Sequence, residues 1–374
     1  MPMTAHESIC IEKGQILIYR VFDVAEEIHL KKVEELVQNK DSSRFRLNRQ
    51  TRRAVVIKNA PVRINLGESE FTLGPHLYKA EVTVTIWDYG VLSVLFQVPI
   101  PAGTTWRSLL DQSLFITGDT AVPELEELAR SKSKEITNLI APALQKPEEW
   151  EVYEDYTVYF FEKLSGVANP QELVEKVNMA ALILGEPSED LSAKSKDPIL
   201  ENIFQYATND LSVIDWNAAV VVEPSGIKDI PDVLEFALTH LMEVRYYDDL
   251  LDTKLNDLYT AIESKRSRPL FGSRFSKISH EANSRYIEFS EFIERVDNSL
   301  KVVGDFYLAV IFRAINRRFR IHDWEQSIRH KMKLLARVSE LLQGEVHNQR
   351  SLLLEVIVII LIAFEVLSAI IKSV

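Results

Sequence analysis

The chain holds 374 residues, 46% of them hydrophobic, enough for two or more cores on a prior of about 150 residues per domain. A formal charge of −12 excludes a protein that coats nucleic acid over its whole surface, so nucleic acid is not expected as a partner. A single cysteine, Cys10, excludes an internal disulfide and a cysteine metal cluster. The N-terminal stretch MPMTAHESICIEKG lacks a basic region followed by an apolar run, so no signal peptide is read there.

In chain order, a short apolar strand is expected at 16–22 and a helix at 29–38 (HLKKVEELVQ). The basic, polar stretch 40–53 reads as a loop or arm, followed by strands at 54–59 and 62–66. The clearest strand is 78–87, where Tyr78, Ala80, Val82, Val84 and Ile86 alternate with Lys79, Glu81, Thr83 and Thr85, the pattern of a sheet with one wet face. Asp88-Tyr89-Gly90 turns it into a hairpin partner at 91–98. Helices are expected at 105–115 and 123–144, the second opened by Pro123 and the acid-rich ELEEL. A strand at 156–161, a helix at 170–184, a polar loop at 185–198, a short helix near 199–206 and a strand at 218–222 complete an α+β head domain, residues 1–226.

After Glu223-Pro224-Ser225-Gly226 the strand signal stops. Leu234, Leu238, Leu241, Leu251, Leu255, Leu258 and Ile262 trace one helical stripe. Tyr286, Phe289, Ile293, Val296, Leu300, Val303, Tyr307, Val310 and Ala314 trace a second, stepping by 3 and 4 as a coiled-coil seam does. The basic stretch 265–277 (KRSRPLFGSRFSK) between them reads as a loop. A third helix begins near Asp323, with Gln326 placed to complete a capping box, and carries Ile321, Trp324, Ile328, Leu335, Val338 and Leu342. Residues 227–350 are therefore read as a helical coiled-coil stalk.

The last stretch, 352–371 (LLLEVIVIILIAFEVLSAII), has only Glu355, Glu365 and Ser368 as polar interruptions. About 20 apolar residues match one crossing of a bilayer core of roughly 30 Å, so residues 351–374 are expected to form a C-terminal transmembrane anchor touching lipid. Nine basic against four acidic residues between Arg313 and Arg350 precede it, which places the bulk of the chain on the cytoplasmic side of the membrane, or the matrix side in an organelle. The same apolarity suits a helix buried in a soluble oligomer, in which Leu352, Glu355, Ile359, Ile362, Glu365 and Ile370 would meet neighbouring copies rather than lipid.

Phosphate-loop, dinucleotide, serine-hydrolase and HExxH patterns are absent. The nearest to chemistry is Asp248-Asp249-Leu250-Leu251-Asp252, a DDxxD string of the kind that clamps Mg²⁺ in isoprenoid diphosphate chemistry. It lacks a second acidic motif at suitable spacing, and Arg245 lies where pairs at i+3 and i+4 can satisfy it. His240 and Glu243 form an HxxE pair, half of a metal site at most. No catalytic residue, cofactor or metal is expected.

Three C-terminal pieces carry a resemblance: EVRYYDDLLDTKLNDLY at 243–259, RFRIHDWEQSIRHKMKLL at 318–335 and HNQRSLLLEVIVIILIAFEVL at 347–367. They resemble the required-for-meiotic-nuclear-division, or YagE-like, family, whose pattern Arg245, Asp248, Asp252, Arg350, Glu355 and Glu365 would match. The resemblance implies a protein with one C-terminal span. In mitochondrial relatives of that kind the body faces the matrix, forms a large homo-oligomer and is needed for organellar translation. The expected function is a non-enzymatic, membrane-anchored, self-associating scaffold or assembly factor with itself and a further protein as partners. The alternatives are an oligomeric ion channel or transporter lined by Glu365, and a metal- or diphosphate-binding sensor or enzyme using His240, Arg245 and the 248–252 patch.

Overall fold

The computed structural model describes residues 9–38, 42–44, 59–117, 123–147, 150–187, 191–264, 284, 287, 289–291, 293–294 and 306–373, excluding the side chains of 193, 258, 261–264, 339–353 and 365–373. Two compact units are present. The first comprises residues up to Tyr246 together with 294–322, and the second comprises 247–293 and 323–374.

The first unit is built around β1 (Cys10–Asp23), whose second half, ILIYRVFD, is buried throughout, as a strand covered on both faces must be. Its flanks are β6 (Val91–Pro99) and β9 (Tyr153–Ser165), both antiparallel to it. Beyond β6 lie β5 (His76–Ile86), β4 (Val62–Leu73) and β3 (Ser42–Arg44). On the other side, β12 (Ala218–Val222) runs parallel to β9 and is followed by β11 (Leu211–Ile214) and β10 (Ile203–Phe204). β7 (Thr104–Thr105) pairs with the start of β1, completing a ten-stranded mixed sheet. A two-stranded ribbon, β2 (Ala25–Ile28) with β8 (Leu144–Pro147), flanks α1 (Leu30–Leu36).

Alternation along the strands sends side chains to two faces. One face, with Ile16, Ile18, Val84, Phe96 and Tyr159, shares a core with α2 (Trp106–Ile116), α3 (Pro123–Leu139), α4 (Pro170–Lys176), α5 (Met179–Leu184) and α6 (Ala193–Leu200). Thr105 caps α2 and Asn169 caps α4, each accepting a backbone N–H three residues on. The other face is covered by the first part of α7 (Asp229–Ser264), by α8 (Phe306–Arg318) and by Phe319 just after it, through the ring pairs Trp87–Phe236, Phe236–Phe312 and Tyr156–Phe319.

Several expectations change. β5 has no wet face in its second half, because Thr83 and Thr85 are buried. The 170–184 helix is two helices, since Val177 leaves the helical conformation and Asn178 starts a new cap. The expected polar loop contains α6, and the expected short helix near 199–206 contains β10. The 123–144 helix stops at Leu139, and its last residues form a 3₁₀ turn and the start of β8. Within 40–53, positions 42–44 form a strand, and the rest, with 54–58, lies outside the described residues. The turn at Gly90 is as read: its φ is +96°, and a Cβ there would sit 1.5 Å from the Ala25 carbonyl oxygen.

In the second unit, residues of α7 from Tyr247 onward pack with residues of α9 (Ile321–Ser373) from Asp323 onward, Leu255 against Leu335. Phe289 is buried and stacks edge-on against Tyr247, with centroids 5.1 Å apart. Most of the expected seam, and the 265–277 loop, lies outside the described residues. Where α8 is described, the first unit buries Leu308, Ile311, Phe312 and Ile315, not the expected Tyr307, Val310 and Ala314. The sheet beneath α8 selects its face, one position away from the seam.

The expected transmembrane ending is corrected. Among the described residues no helix is long and apolar enough to cross a membrane. The apolar side chains described near the end of α9 run from Leu354 to Phe364. The fold is α+β with its C-terminal part helical, and the transmembrane and tail-anchor reading is withdrawn.

Candidate functional site

Polar residues concentrate where the first part of α7 lies on the sheet. Register brings Arg63 of β4, Thr85 of β5, Ser93 of β6, Val21 of β1 and Glu154 of β9 into one row across five strands. Above that row, α7 presents Asp232, Glu235, Thr239 and Glu243 at steps of 3, 4 and 4, one stripe of a helix. Arg63 donates to Thr85 Oγ1 at 3.1 Å, to Glu235 Oε2 at 2.6 Å and to Asp232 Oδ1 at 3.3 Å. The Glu235 side chain is fully buried.

One guanidinium therefore faces two carboxylates. Burial, only partly offset by Arg63, pushes the Asp232 carboxyl up to about 7, and the neighbouring Glu235 charge adds to the rise. Burial also raises the Tyr19 phenol, reinforced by the Glu235 and Asp232 charges. Tyr89 shares a 2.7 Å hydrogen bond with Thr239. Lys228, whose ammonium is lowered mainly by burial, donates to Gln97 at 2.6 Å and to Gln15 at 3.1 Å. Sequence reading missed Arg63, Asp232 and Glu235. The only signal was the 3-4-4 spacing of polar residues on α7, which is equally the pattern of a solvated helix face.

The residues singled out in the sequence divide between the two units. His240 and Glu243 are both buried, and burial lowers the His240 imidazole to about 3, so it is neutral. No group of three or more His, Cys, Asp or Glu that could hold a metal occurs among the described residues. Arg245 pairs with Glu154 of β9, and burial pushes Glu154 up to about 7 against the pull of Arg245. Arg318 pairs with the buried Asp215 in the same unit. In the second unit Asp248 receives hydrogen bonds from Ser327 at 2.8 Å and an ion pair from Lys331 at 2.9 Å, while Asp252 pairs with the same Lys331 at 2.6 Å. Two of the three aspartates of the DDxxD string, Asp248 and Asp252, thus share an ammonium on α9. A carboxylate pair bridged by a lysine holds helices together and, with half of its charge offset, attracts Mg²⁺ less than a bare pair does.

The remaining feature is on α9. Leu354, Val356, Ile357, Val358, Ile359, Ile360, Leu361, Ile362 and Phe364 are each 44–73% exposed, and Glu355 is exposed with them. Nine apolar residues in eleven successive positions cover every side of the helix at 100° per residue. The Leu352, Glu365, Ile370 and Arg350 side chains lie outside the described residues.

Comparison with known proteins corrects the expected resemblance. The three pieces that carried it are amphipathic or apolar helical segments whose composition recurs widely, and nothing supports the meiotic-nuclear-division or YagE-like assignment. The match lies elsewhere in the chain, over residues 13–229, with the family described as the N-terminal domain of the uncharacterized protein MJ0711. That segment runs from β1 to the first residue of α7. The uncharacterized protein MJ0711 of Methanocaldococcus jannaschii is 22% identical over 223 residues, covering 59% of this chain and 67% of that protein. No solved structure matches. With more than half of its length matched, the chain belongs to the MJ0711 N-terminal domain family.

Proposed function

We propose that the protein is a self-associating, non-enzymatic assembly protein whose copies join through the end of α9. The observation that carries this reading is the all-round exposure of the nine apolar side chains between 354 and 364. A helix that is apolar on every side is stable inside a bundle, not on a surface. Covering each of these half-exposed side chains contributes about 1–2 kcal/mol. The sum, roughly 9–18 kcal/mol, is of the order of the ~4–15 kcal/mol that association costs in lost freedom.

A second copy is the occupant that fits. From Val356 to Phe364 the run has no charged residue, so it offers nothing for charge pairing with a different partner. Another copy brings an equally apolar helix. The buried polar groups of the first unit are consistent with a structural role, since Arg63, Glu154 and Asp215 are each engaged by an oppositely charged neighbour.

Sedimentation of the full-length protein over a range of concentrations tests the reading. A species larger than one chain at micromolar concentration is expected. A monomer throughout overturns it. So does a monomer that floats with neutral phosphatidylcholine vesicles, because lipid rather than a second copy would then cover the run.

A further inference from the structure

α3 turns its polar stripe into a concavity instead of open water. Arg130, Ser133, Lys134, Thr137 and Asn138 fall at i, i+3, i+4, i+7 and i+8, and all five line a cleft of about 360 Å³. Phe22 and Asp23 from the end of β1 form its floor with Ser133, and all three are buried. Lys134 and Asn138 stand exposed at the rim, and Trp150 forms a wall. The size falls in the range of small-molecule sites, and the lining, apolar walls with a few convergent polar groups, has their usual composition.

Two of the groups are held in place before any ligand arrives. The Arg130 guanidinium lies over the Tyr153 ring at 5.2 Å and the Phe22 ring at 5.9 Å, and it donates to the Glu151 carbonyl at 2.8 Å. A guanidinium carries five N–H donors, so one carbonyl does not exhaust it. The Trp150 indole is fixed edge-on by Tyr246, with centroids 5.7 Å apart and planes at 72°. Groups fixed in this way lose little freedom on binding. Lys134 stands four residues from Arg130 on the same helix face and lines the same cleft.

We propose that this cleft binds a small organic monoanion with a planar ring, its carboxylate held by Arg130 and Lys134 and its ring lying against Trp150. The proposal is independent of self-association through α9. It is tested by calorimetric titration of the full-length protein with indole-3-carboxylate, with the neutral indole-3-carboxamide and with inorganic phosphate. The carboxylate is expected to bind one per chain with a Kd below about 1 mM, and at least about tenfold more tightly than either comparison compound. Arg130→Gln is expected to weaken it about tenfold or more. Asn138→Asp, an exposed substitution that leaves the core untouched, is expected to weaken it several-fold by repulsion. Absence of saturable binding at 10-fold higher ligand, equal affinity for the amide, or an unchanged Kd in both variants overturns the proposal.

Discussion

If α9 joins copies of the chain, charges placed on opposite sides of its apolar run should separate them whichever face is used. Positions 359 and 361 are about 200° apart around a helix, so Ile359→Glu/Leu361→Glu leaves no face without a carboxylate. Each of the two side chains is 61% exposed in the single chain, and full burial of such a residue contributes about 1.5–3 kcal/mol. Losing one of them at the interface therefore removes about 1–2 kcal/mol per copy. In a dimer this is about 2–4 kcal/mol, between one and three decades in Kd, before the further penalty of taking a carboxylate out of water. Analytical ultracentrifugation of the double variant beside the parent chain reads the shift directly. Both substitutions are at exposed positions, so the fold should survive, which far-UV circular dichroism checks. A variant that self-associates as strongly as the parent refutes the reasoning.

Other consequences concern the first unit. Arg63→Ala leaves the fully buried Glu235 without its ion-pair partner and is expected to destabilise by about 3–5 kcal/mol in urea unfolding; Arg63→Ala/Glu235→Gln should recover much of the loss. Asp232 and Glu154 are both raised to about 7 from ordinary values of 3.8 and 4.5. Between those limits the folded state holds protons that the unfolded state has lost, so the stability these groups contribute is full below pH 4 and is lost as pH rises through 7. Each gives a slope of up to about 1.4 kcal/mol per pH unit in that window. Asp232→Asn/Glu154→Gln should flatten the profile between pH 5 and 7, and an unchanged slope would show that other groups set it. Gly90→Ala forces a Cβ against the Ala25 carbonyl oxygen at a left-handed φ, and a loss of at least about 1–3 kcal/mol is expected, read as a lowered melting temperature. Tyr89→Phe removes the bond to Thr239 and should cost at least about 0.5–1.5 kcal/mol by the same measurement.

The strands were legible where their alternation or apolarity was strong. The 78–87 alternation and the Asp88-Tyr89-Gly90 turn lie in β5 and its hairpin to β6, and the apolar 218–222 segment is β12. What alternation cannot reveal is what lies over a polar face. Thr83 and Thr85 read as wet because nothing local announces that α7, some 150 residues later, covers them. The same blindness hid the Arg63, Asp232 and Glu235 cluster, whose members are polar at positions that solvent would equally favour. The 3-4 periodicity identified α8 as a helix but chose the wrong face, since Ile311 and Ile315 rather than Val310 and Ala314 meet the sheet. The cleft at Arg130 and Lys134 left no signal beyond a charged helix, SKSKEITN, that resembles any solvated one.

The pairings of β1 set the order in which this protein can be made. Its neighbour β6 follows within a hundred residues, but its other neighbour is β9, so that Leu17 meets Val158 after about 140 further residues have been synthesised, a contact of high sequence separation and slow closure. At a synthesis rate of roughly 5–20 residues per second, the open edge of β1 therefore waits on the order of ten seconds for its partner. Gln15 to Phe22 presents an unpaired backbone edge rich in β-branched and aromatic side chains throughout that interval. The nascent chain is at its most vulnerable to pairing with a neighbouring copy before residue 153 emerges, and conditions that slow synthesis lengthen that exposure.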